Sequence, residues 1–115
     1  MNTKQLHQEA SMAMQQAIVL RAQGEEETAH NMFAKAFELE KQAALSLLTD
    51  FDREPTRSVL FRSAGSLAMN CKKYREAEKL FAQGLAGEPP RRIMLQLRAL
   101  YREISKHLYV EAEVA

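Results

Sequence analysis

The sequence has very little of the residues that interrupt helices or cross-link chains. It contains one cysteine, Cys71, four glycines, three prolines and no tryptophan. A single cysteine excludes an internal disulfide framework and a cysteine-rich zinc site. No stretch approaches the roughly 20 consecutive apolar residues that a membrane-spanning helix requires, and the N-terminus lacks the apolar core of a signal peptide. We therefore expect a cytoplasmic protein without membrane association.

Sequence motifs of the common catalytic and cofactor sites are also missing. The chain has no glycine-rich phosphate loop, no Gly-x-Ser-x-Gly elbow and no His-Glu-x-x-His zinc motif. Glu27 and His30 have the Glu-x-x-His spacing of di-iron helix bundles, but such a site needs a second pair, which the sequence does not contain. His7 and His107 stand alone. We therefore predict that the protein is not an enzyme and uses no metal or other cofactor.

What the sequence does contain is helix-forming residues and an uneven distribution of charge. The 115 residues, enough for one domain, are rich in Ala, Leu, Glu, Gln, Lys and Met, which lose little side-chain entropy in a helix. The net charge is +1, but residues 1–57 carry 6 basic and 9 acidic side chains, whereas residues 58–115 carry 10 and 6. The asymmetry favours an acidic partner or head-to-tail self-contact; the alternative is that solvated helix faces simply differ.

Apolar residues at helical spacing predict five α-helices with short turns and no strand. The first helix contains residues 6–20 and ends at Gly24, because glycine readily adopts the left-handed conformation of a helix C-terminus. The second helix opens with Glu25–Glu27. The third has Pro55 in its first turn and ends near residues 70–73. The fourth and fifth span about 74–85 and 91–111, and the fifth carries an apolar stripe of Ile93, Leu97, Leu100, Ile104 and Leu108.

Two helix pairs share the same internal spacing. In each pair a small residue in the first helix precedes an alanine by 12 residues and a phenylalanine by 16. Small residues let antiparallel helices approach closely, and the two rings would fill the seam between one pair and the next. Ala99 lies 34 residues after the second small residue and extends the register into the fifth helix. The matched sets are Ala17, Ala29 and Phe33 in the first pair, and Gly65, Ala77 and Phe81 in the second.

This pattern resembles the tetratricopeptide repeat family. In the second unit Phe61, Ala64, Gly65, Ala68, Tyr74, Ala77, Phe81 and Pro89 follow the family order of bulky, apolar, small, Ala, aromatic and Pro. In the first unit Ala13 replaces the bulky residue and Lys41 the terminal proline. The resemblance implies an all-α, right-handed α-α superhelix over the single domain 1–115, with units at about 10–43 and 58–91 and a capping helix at about 91–111. The run from Glu54 to Cys71 is also similar to stretches of small bacterial proteins of unassigned role.

The two units are farther apart than the family period. The step from Ala17 to Gly65 is 48 residues, 14 more than the roughly 34 residues of the repeat. We expect the second helix, the third or both to be lengthened and to project. We also expect the apolar side chains there to be covered as core, with a dimer contact as the alternative; they are Leu45, Leu47, Leu48 and Phe51.

The resemblance implies a function in protein binding, because family members bind a peptide or helix in a groove lined by the first helix of each unit. An amphipathic helix would place its apolar anchors in this groove and its acidic groups beside Arg21 and Arg62. The alternative is that some of these residues are core. The family's carboxylate clamp is excluded, because the matching positions are Met14, Ile18, Val59, Ser63 and Leu97. The groove residues by position are Met14, Ile18, Arg21, Val59, Arg62, Ser66, Met69, Ile93, Gln96 and Leu100.

Two other functions stay open at this point. One is a self-assembling, homodimeric structural protein that uses the long helices around residues 39–60. The other, weaker one is a nucleic-acid-associated regulator acting through the basic cluster Lys72–Lys79. In that cluster Glu76 and Glu78 dilute the positive charge, so a solvated turn is the favoured interpretation.

Overall fold

Residues 1–114 fold into five α-helices and one short 3-10 helix. The computed structural model describes the backbone of residues 1–114 and the side chains of residues 1–109, so Ala115 of the predicted domain lies outside the described residues. No strand occurs over residues 1–114, and the predicted all-α fold is confirmed. None of the helices described is both long and apolar enough to cross a membrane. The helices are α1 (Thr3–Ala22), α2 (Glu26–Leu45), α3 (Thr56–Asn70), α4 (Tyr74–Leu85) and α5 (Arg91–Val114), with the 3-10 helix at Phe51–Arg53.

Local side chains explain where α1 and α3 begin. Asn2 caps α1: its Oδ1 accepts from the Gln5 backbone N–H at 2.9 Å, and Gln5 Oε1 accepts from the Asn2 N–H at 3.0 Å. This reciprocal capping box fixes the start of the helix. Pro55 stands just before α3 instead of within its first turn, which corrects the predicted boundary. Its carbonyl accepts from the Val59 N–H at 3.0 Å, so the proline closes the first helical turn from outside, where its missing N–H costs nothing.

The α1–α2 and α3–α4 turns have the same backbone geometry. Each contains one residue in the left-handed region, Gly24 with φ 79° and Lys72 with φ 58°, and these two residues are 48 positions apart. The hydrogen bonds that close the two turns also correspond one to one. They satisfy carbonyl groups at the helix end that otherwise lack partners. The bond from Gly24 N–H to Arg21 O corresponds to the one from Lys72 N–H to Met69 O. The bond from Glu25 N–H to Leu20 O corresponds to the one from Lys73 N–H to Ala68 O.

The small residues and phenylalanines that define the repeat lie in the core. A Cβ atom added to Gly65 would overlap the ring of Phe81, so glycine at this position lets the α4 ring pack directly on the α3 backbone. Phe81 and Phe33 are both buried. Their alanine neighbours at the matched spacing, Ala77 and Ala29, are buried as well. The matched residues of the 12- and 16-residue spacing are buried in both hairpins, and the contact of Gly65 with Phe81 shows the predicted close approach in the second.

Thirteen of the fourteen residues in excess of the repeat period lie in one helix and one connection. Phe33 is followed by 12 further residues of α2, whereas Phe81 is followed by only four of α4. The connection from α2 to α3 has ten residues, 46–55, and the one from α4 to α5 has five, 86–90. Helix α3, with 15 residues, is not lengthened. Of the predicted possibilities, a lengthened second helix, third helix or both, the structure has the first, and the connection with its 3-10 turn contains most of the remaining residues.

The apolar residues of this extension are only partly covered. Leu47 is buried in the core, whereas Leu45, Leu48 and Phe51 are exposed. The expectation that all four would be covered as core is therefore wrong for three of them. The Phe51 ring is not without a neighbour, because the guanidinium carbon of Arg57 lies 5.0 Å from its centroid, within cation–π range.

Helix α5 packs through the predicted apolar stripe. Leu97 and Ile104 are buried, and the remaining stripe residues are partly buried against the core. Ala99, however, is exposed. It lies at the repeat spacing from Gly65, but it is not buried against a neighbouring helix as Gly65 is. The small residue of a unit contacts the second helix of the same unit, and no helix follows α5 in residues 1–114. The larger Leu and Ile side chains therefore decide which face of α5 is buried.

The outer face of α1 is uncovered at positions that are covered in α3. Helix α3 packs against α2 of the preceding hairpin, and Leu60 and Leu67 are 3% and 4% exposed there. The residues 48 positions earlier on α1, Met12 and Val19, are 63% and 54% exposed. The difference follows from the order of the chain, because no helix precedes α1 in the structure.

A buried arginine joins the connection 46–55 to the end of α4. Arg57 is 1% exposed. Its Nε and Nη2 donate to the Leu48 carbonyl at 3.0 and 2.9 Å, and Nη2 also donates to the Gln83 carbonyl at 2.9 Å. A third guanidinium nitrogen, Nη1, donates to the Gly84 carbonyl at 3.5 Å. One side chain therefore binds a carbonyl group of the connection and two carbonyl groups in the last turn of α4, which lack helical partners.

Glu54 completes this network on the other side. Its Oε2 lies 3.8 Å from Arg57 Nη1 and accepts from the Glu88 backbone N–H at 2.9 Å. Its Oε1 accepts from the Ser58 N–H at 2.8 Å, in the first turn of α3. A Cβ on Gly87 would overlap both the Arg57 guanidinium and the Glu54 carboxylate. The α4–α5 turn therefore needs a glycine to pass over this ion pair.

Candidate functional site

None of the ten predicted groove residues is fully buried. Ile18 and Arg21 on α1 are exposed, and the other eight are half-buried. The guanidinium carbon of Arg21 lies 4.3 Å from the centroid of the Phe33 ring, so part of its positive charge is directed at the hairpin itself. Met14 and Met69 pack against the core. The ten groove residues therefore lie at the border between the core and the surface, and they do not form one continuous groove.

Four of the ten come together between α3 and α5. They line a shallow surface depression of about 500 Å³, which we call the α3–α5 groove. Arg62 Nη1 donates to Gln96 Oε1, and this bond joins the two helices across the groove. Leu100 and Ala99 supply apolar surface, while Arg62 and Arg92 supply positive charge. The full lining is Arg62, Ser66, Arg92, Gln96, Ala99 and Leu100.

Val59 lines a different cavity, between the N-terminal ends of α1 and α3. This α1–α3 pocket has a volume of about 400 Å³. Helices α1 and α3 both pack on α2, and the pocket opens in the space that they leave between them. Its lining residues are Thr3, Lys4 and His7 of α1, Arg53 and Pro55 of the connection, and Thr56, Val59 and Leu60 of α3.

Hydrogen bonds to α2 and the following turn hold two of the α1 residues in place. His7 Nδ1 lies 2.8 Å from Oε1 and 3.1 Å from Oε2 of Glu40, a carboxylate that is only 3% exposed in its side chain. A buried carboxylate needs a hydrogen-bond donor or a positive charge nearby, so Nδ1 is the protonated nitrogen of this contact. Thr3 Oγ1 and Ser46 Oγ are 2.6 Å apart. Both contacts fix the N-terminal turns of α1 against the end of α2.

Two of the four basic residues of the cluster Lys72–Lys79 are paired with carboxylates. Arg75 Nη1 donates to Glu78 Oε1, and Lys73 Nζ lies 3.9 Å from Glu38 Oε1. Lys41 adds a further contact, with its Nζ 2.9 Å from Glu76 Oε1. The hydrogen bond to Glu76 raises the pKa of Lys41, although burial opposes the shift. Lys72 and Lys79 are exposed and form no ion pair among the described side chains, so the turn keeps two of its four positive charges unpaired.

The lone cysteine is buried, and the histidine of the Glu27–His30 pair is exposed. Burial raises the pKa of the Cys71 thiol, which lowers the fraction of the nucleophilic thiolate. His30 is exposed on α2. Among the described side chains, no group of three or more His, Cys, Asp or Glu residues is arranged to hold a metal ion.

Sequence reasoning missed residues of both cavities. Arg92 was identifiable, because it lies one helical turn before Gln96 on the same face of α5. Lys4 and Arg53 were not, because they are 49 residues apart and only the folded connection brings them to one pocket. Arg57 gave one overlooked signal: a positive charge in the first turn of a helix opposes the helix dipole, which indicates that other groups bind it.

No protein-family model matches the chain, and no curated protein and no solved structure matches it either.

Proposed function

We propose that the chain is a small, non-catalytic interaction module of the tetratricopeptide-like type, which binds an acidic amphipathic helix of a partner protein. The equivalence of the two hairpins supports the repeat interpretation. Their turns carry the same hydrogen bonds and the same left-handed residue at an offset of 48 positions. Both also place an alanine and a phenylalanine of the second helix in the core. Proteins of this architecture present extended surfaces for binding.

The observation that carries the proposal is the chemistry of the α3–α5 groove. Arg62 and Arg92 stand beside the apolar surface of Ala99 and Leu100. An amphipathic helix can place a leucine or phenylalanine on that surface and direct Asp or Glu side chains to the two guanidinium groups. The Arg62–Gln96 hydrogen bond orients one of the arginines before a partner arrives, which lowers the entropy lost on binding.

A peptide-display selection on the immobilised protein tests this function. We expect the enriched peptides to be helical and to combine spaced apolar anchors with acidic residues. Fluorescence anisotropy of a labelled peptide then compares Arg92→Glu with Arg91→Glu. These neighbouring residues are both exposed in the first turn of α5, but only Arg92 lines the groove.

The two variants change the net charge equally, so they separate groove contacts from long-range electrostatics. We expect Arg92→Glu to weaken binding about tenfold or more, because it places like charges together in the complex, and Arg91→Glu to have a much smaller effect. Equal affinities of the two variants, or enrichment of peptides without acidic residues, would contradict binding in this groove.

A specific observation also favours self-association as a second candidate function. Met12, Ile18 and Val19 are large apolar side chains, each more than half exposed on α1. Exposed apolar patches of this kind often mark protein contacts. Sedimentation velocity measures this directly: Met12→Glu should reduce any dimer population, and a concentration-independent monomer at micromolar concentration would remove the candidate.

A further inference from the structure

We propose that the α1–α3 pocket binds a small amphipathic anion, specifically an acyl chain that ends in a carboxylate. The pocket is separate from the α3–α5 groove, and its lining shares no residue with the lining of that groove. Its volume of about 400 Å³ falls within the roughly 300–1,000 Å³ typical of small-molecule sites. Such sites combine mainly apolar walls with a few convergent polar groups, and this pocket has that composition.

The charges of the lining select for an anion. Lys4, His7 and Arg53 reach the pocket from two different segments, and no Asp or Glu lines it. Neither Lys4 nor Arg53 forms an ion pair with any side chain among residues 1–109. The hydroxyl groups of Thr3 and Thr56 are also at the lining. A carboxylate can therefore accept hydrogen bonds from charged donors that form no ion pair with another described side chain.

His7 is oriented for the same purpose. Its Nδ1 is held by the buried Glu40 carboxylate at 2.8 Å, which leaves Nε2 as the ring nitrogen available to a ligand. When the ring carries a proton on both nitrogens, Nε2 is a hydrogen-bond donor. This carboxylate–histidine arrangement fixes the ring before the ligand binds, so little side-chain entropy is lost in the complex.

The rest of the pocket suits an alkyl chain. Val59 and Leu60 on α3 and the ring of Pro55 provide apolar contact surface opposite the α1 side chains. Burial of methylene groups is favourable, so an alkyl chain of medium length adds affinity to the head-group contacts. Arg53 and Pro55 belong to the connection 46–55, which is longer than its counterpart after α4. Two residues of the longer connection, Arg53 and Pro55, thus line one side of the pocket.

An NMR titration of the ¹⁵N-labelled protein with octanoate, below its micelle concentration, tests the proposal. We expect saturable shifts confined to the amides of residues 3–7 and 53–60. Lys4→Gln combined with Arg53→Gln should raise the Kd about tenfold or more, because hydrogen bonds to charged groups are lost. The control Lys35→Gln with Arg91→Gln changes the net charge by the same amount away from the pocket and should leave the Kd unchanged.

Two further arms test the pocket and the head group. Val59→Trp fills the pocket and should abolish the shifts while the circular dichroism spectrum stays that of the parent. Octyltrimethylammonium, with the same chain and the opposite charge, should not bind. Tighter binding of octyl phosphate than of octanoate would overturn the carboxylate assignment. Absence of a saturable shift with either anion, or an unchanged Kd in the Lys4→Gln, Arg53→Gln protein, would overturn the site itself.

Discussion

Replacement of Arg57 by methionine is expected to destabilise the protein by about 3 kcal/mol, the lower end of the range for breaking a buried ion pair. Methionine keeps most of the apolar volume of the side chain, so the loss reports on the polar contacts. It removes the donors to the Leu48 and Gln83 carbonyls, at 2.9–3.0 Å, and the positive charge 3.8 Å from Glu54. A buried acceptor left without a partner costs about 1–3 kcal/mol.

Two features place the expected value at the low end. The Leu48 carbonyl belongs to a partly exposed residue of the connection and can turn toward water. Glu54 retains the backbone N–H donors of Ser58 and Glu88, which stabilise its carboxylate after the guanidinium is gone. The remaining cost comes from the Gln83 carbonyl and the uncompensated charge of Glu54, whose side chain is 10% exposed.

Urea unfolding followed by circular dichroism measures this loss. Arg53→Met is the matched control, because Arg53 is exposed and four residues earlier in the same segment; it should change stability by no more than about 0.5 kcal/mol. In a double-mutant cycle with Glu54→Gln we expect a coupling energy of about 0.5–3 kcal/mol. A stability of Arg57→Met within 1 kcal/mol of the parent, roughly the value of one ordinary hydrogen bond, would refute the assignment of Arg57 as a buried anchor.

Two further predictions concern the helix ends. Lys72→Gly should stabilise the protein by about 0.5–1 kcal/mol, because glycine removes the left-handed strain at φ 58° but costs more entropy on folding; urea unfolding checks this, and a loss of stability would contradict the turn geometry. Cys71 should react slowly with a disulfide reagent at mildly alkaline pH, since burial raises its thiol pKa, and quickly once urea unfolds the chain; equal rates in both states would show that the thiol is accessible in the fold.

The parts of the fold that could be predicted from the sequence depend on local signals. Gly24 ends the first hairpin turn as predicted, and the fourth helix has the predicted bounds Tyr74–Leu85. The stripe on α5 was predictable because large apolar side chains at helical spacing are buried whatever element they meet. Ala99 was placed incorrectly because a small residue matters only if a following helix packs on it, and the spacing alone does not provide that helix.

The parts of the fold that could not be predicted from the sequence depend on long-range contacts with backbone groups. Arg57 binds carbonyl oxygens of residues 9, 26 and 27 positions away. Every residue has a backbone carbonyl, so the sequence does not show which of them bind a side chain. The division of the fourteen extra residues between α2 and the connection also depended on this arginine, which holds the connection against α4. For the candidate sites, the groove residues on α3 and α5 were expected from the family resemblance, whereas the α1–α3 pocket joins distant segments and was not expected.

The uncovered outer face of α1 has a consequence for engineering of the chain. A designed array could be extended at its N-terminus by one helical hairpin, and the chain itself provides the template for the new junction. Helix α3 carries Leu60, Ala64 and Leu67 where α1 carries Met12, Gln16 and Val19. Transplanting the three α3 side chains onto α1, with a copy of α2 grafted ahead of it, would therefore reproduce a joint that the native sequence already uses once.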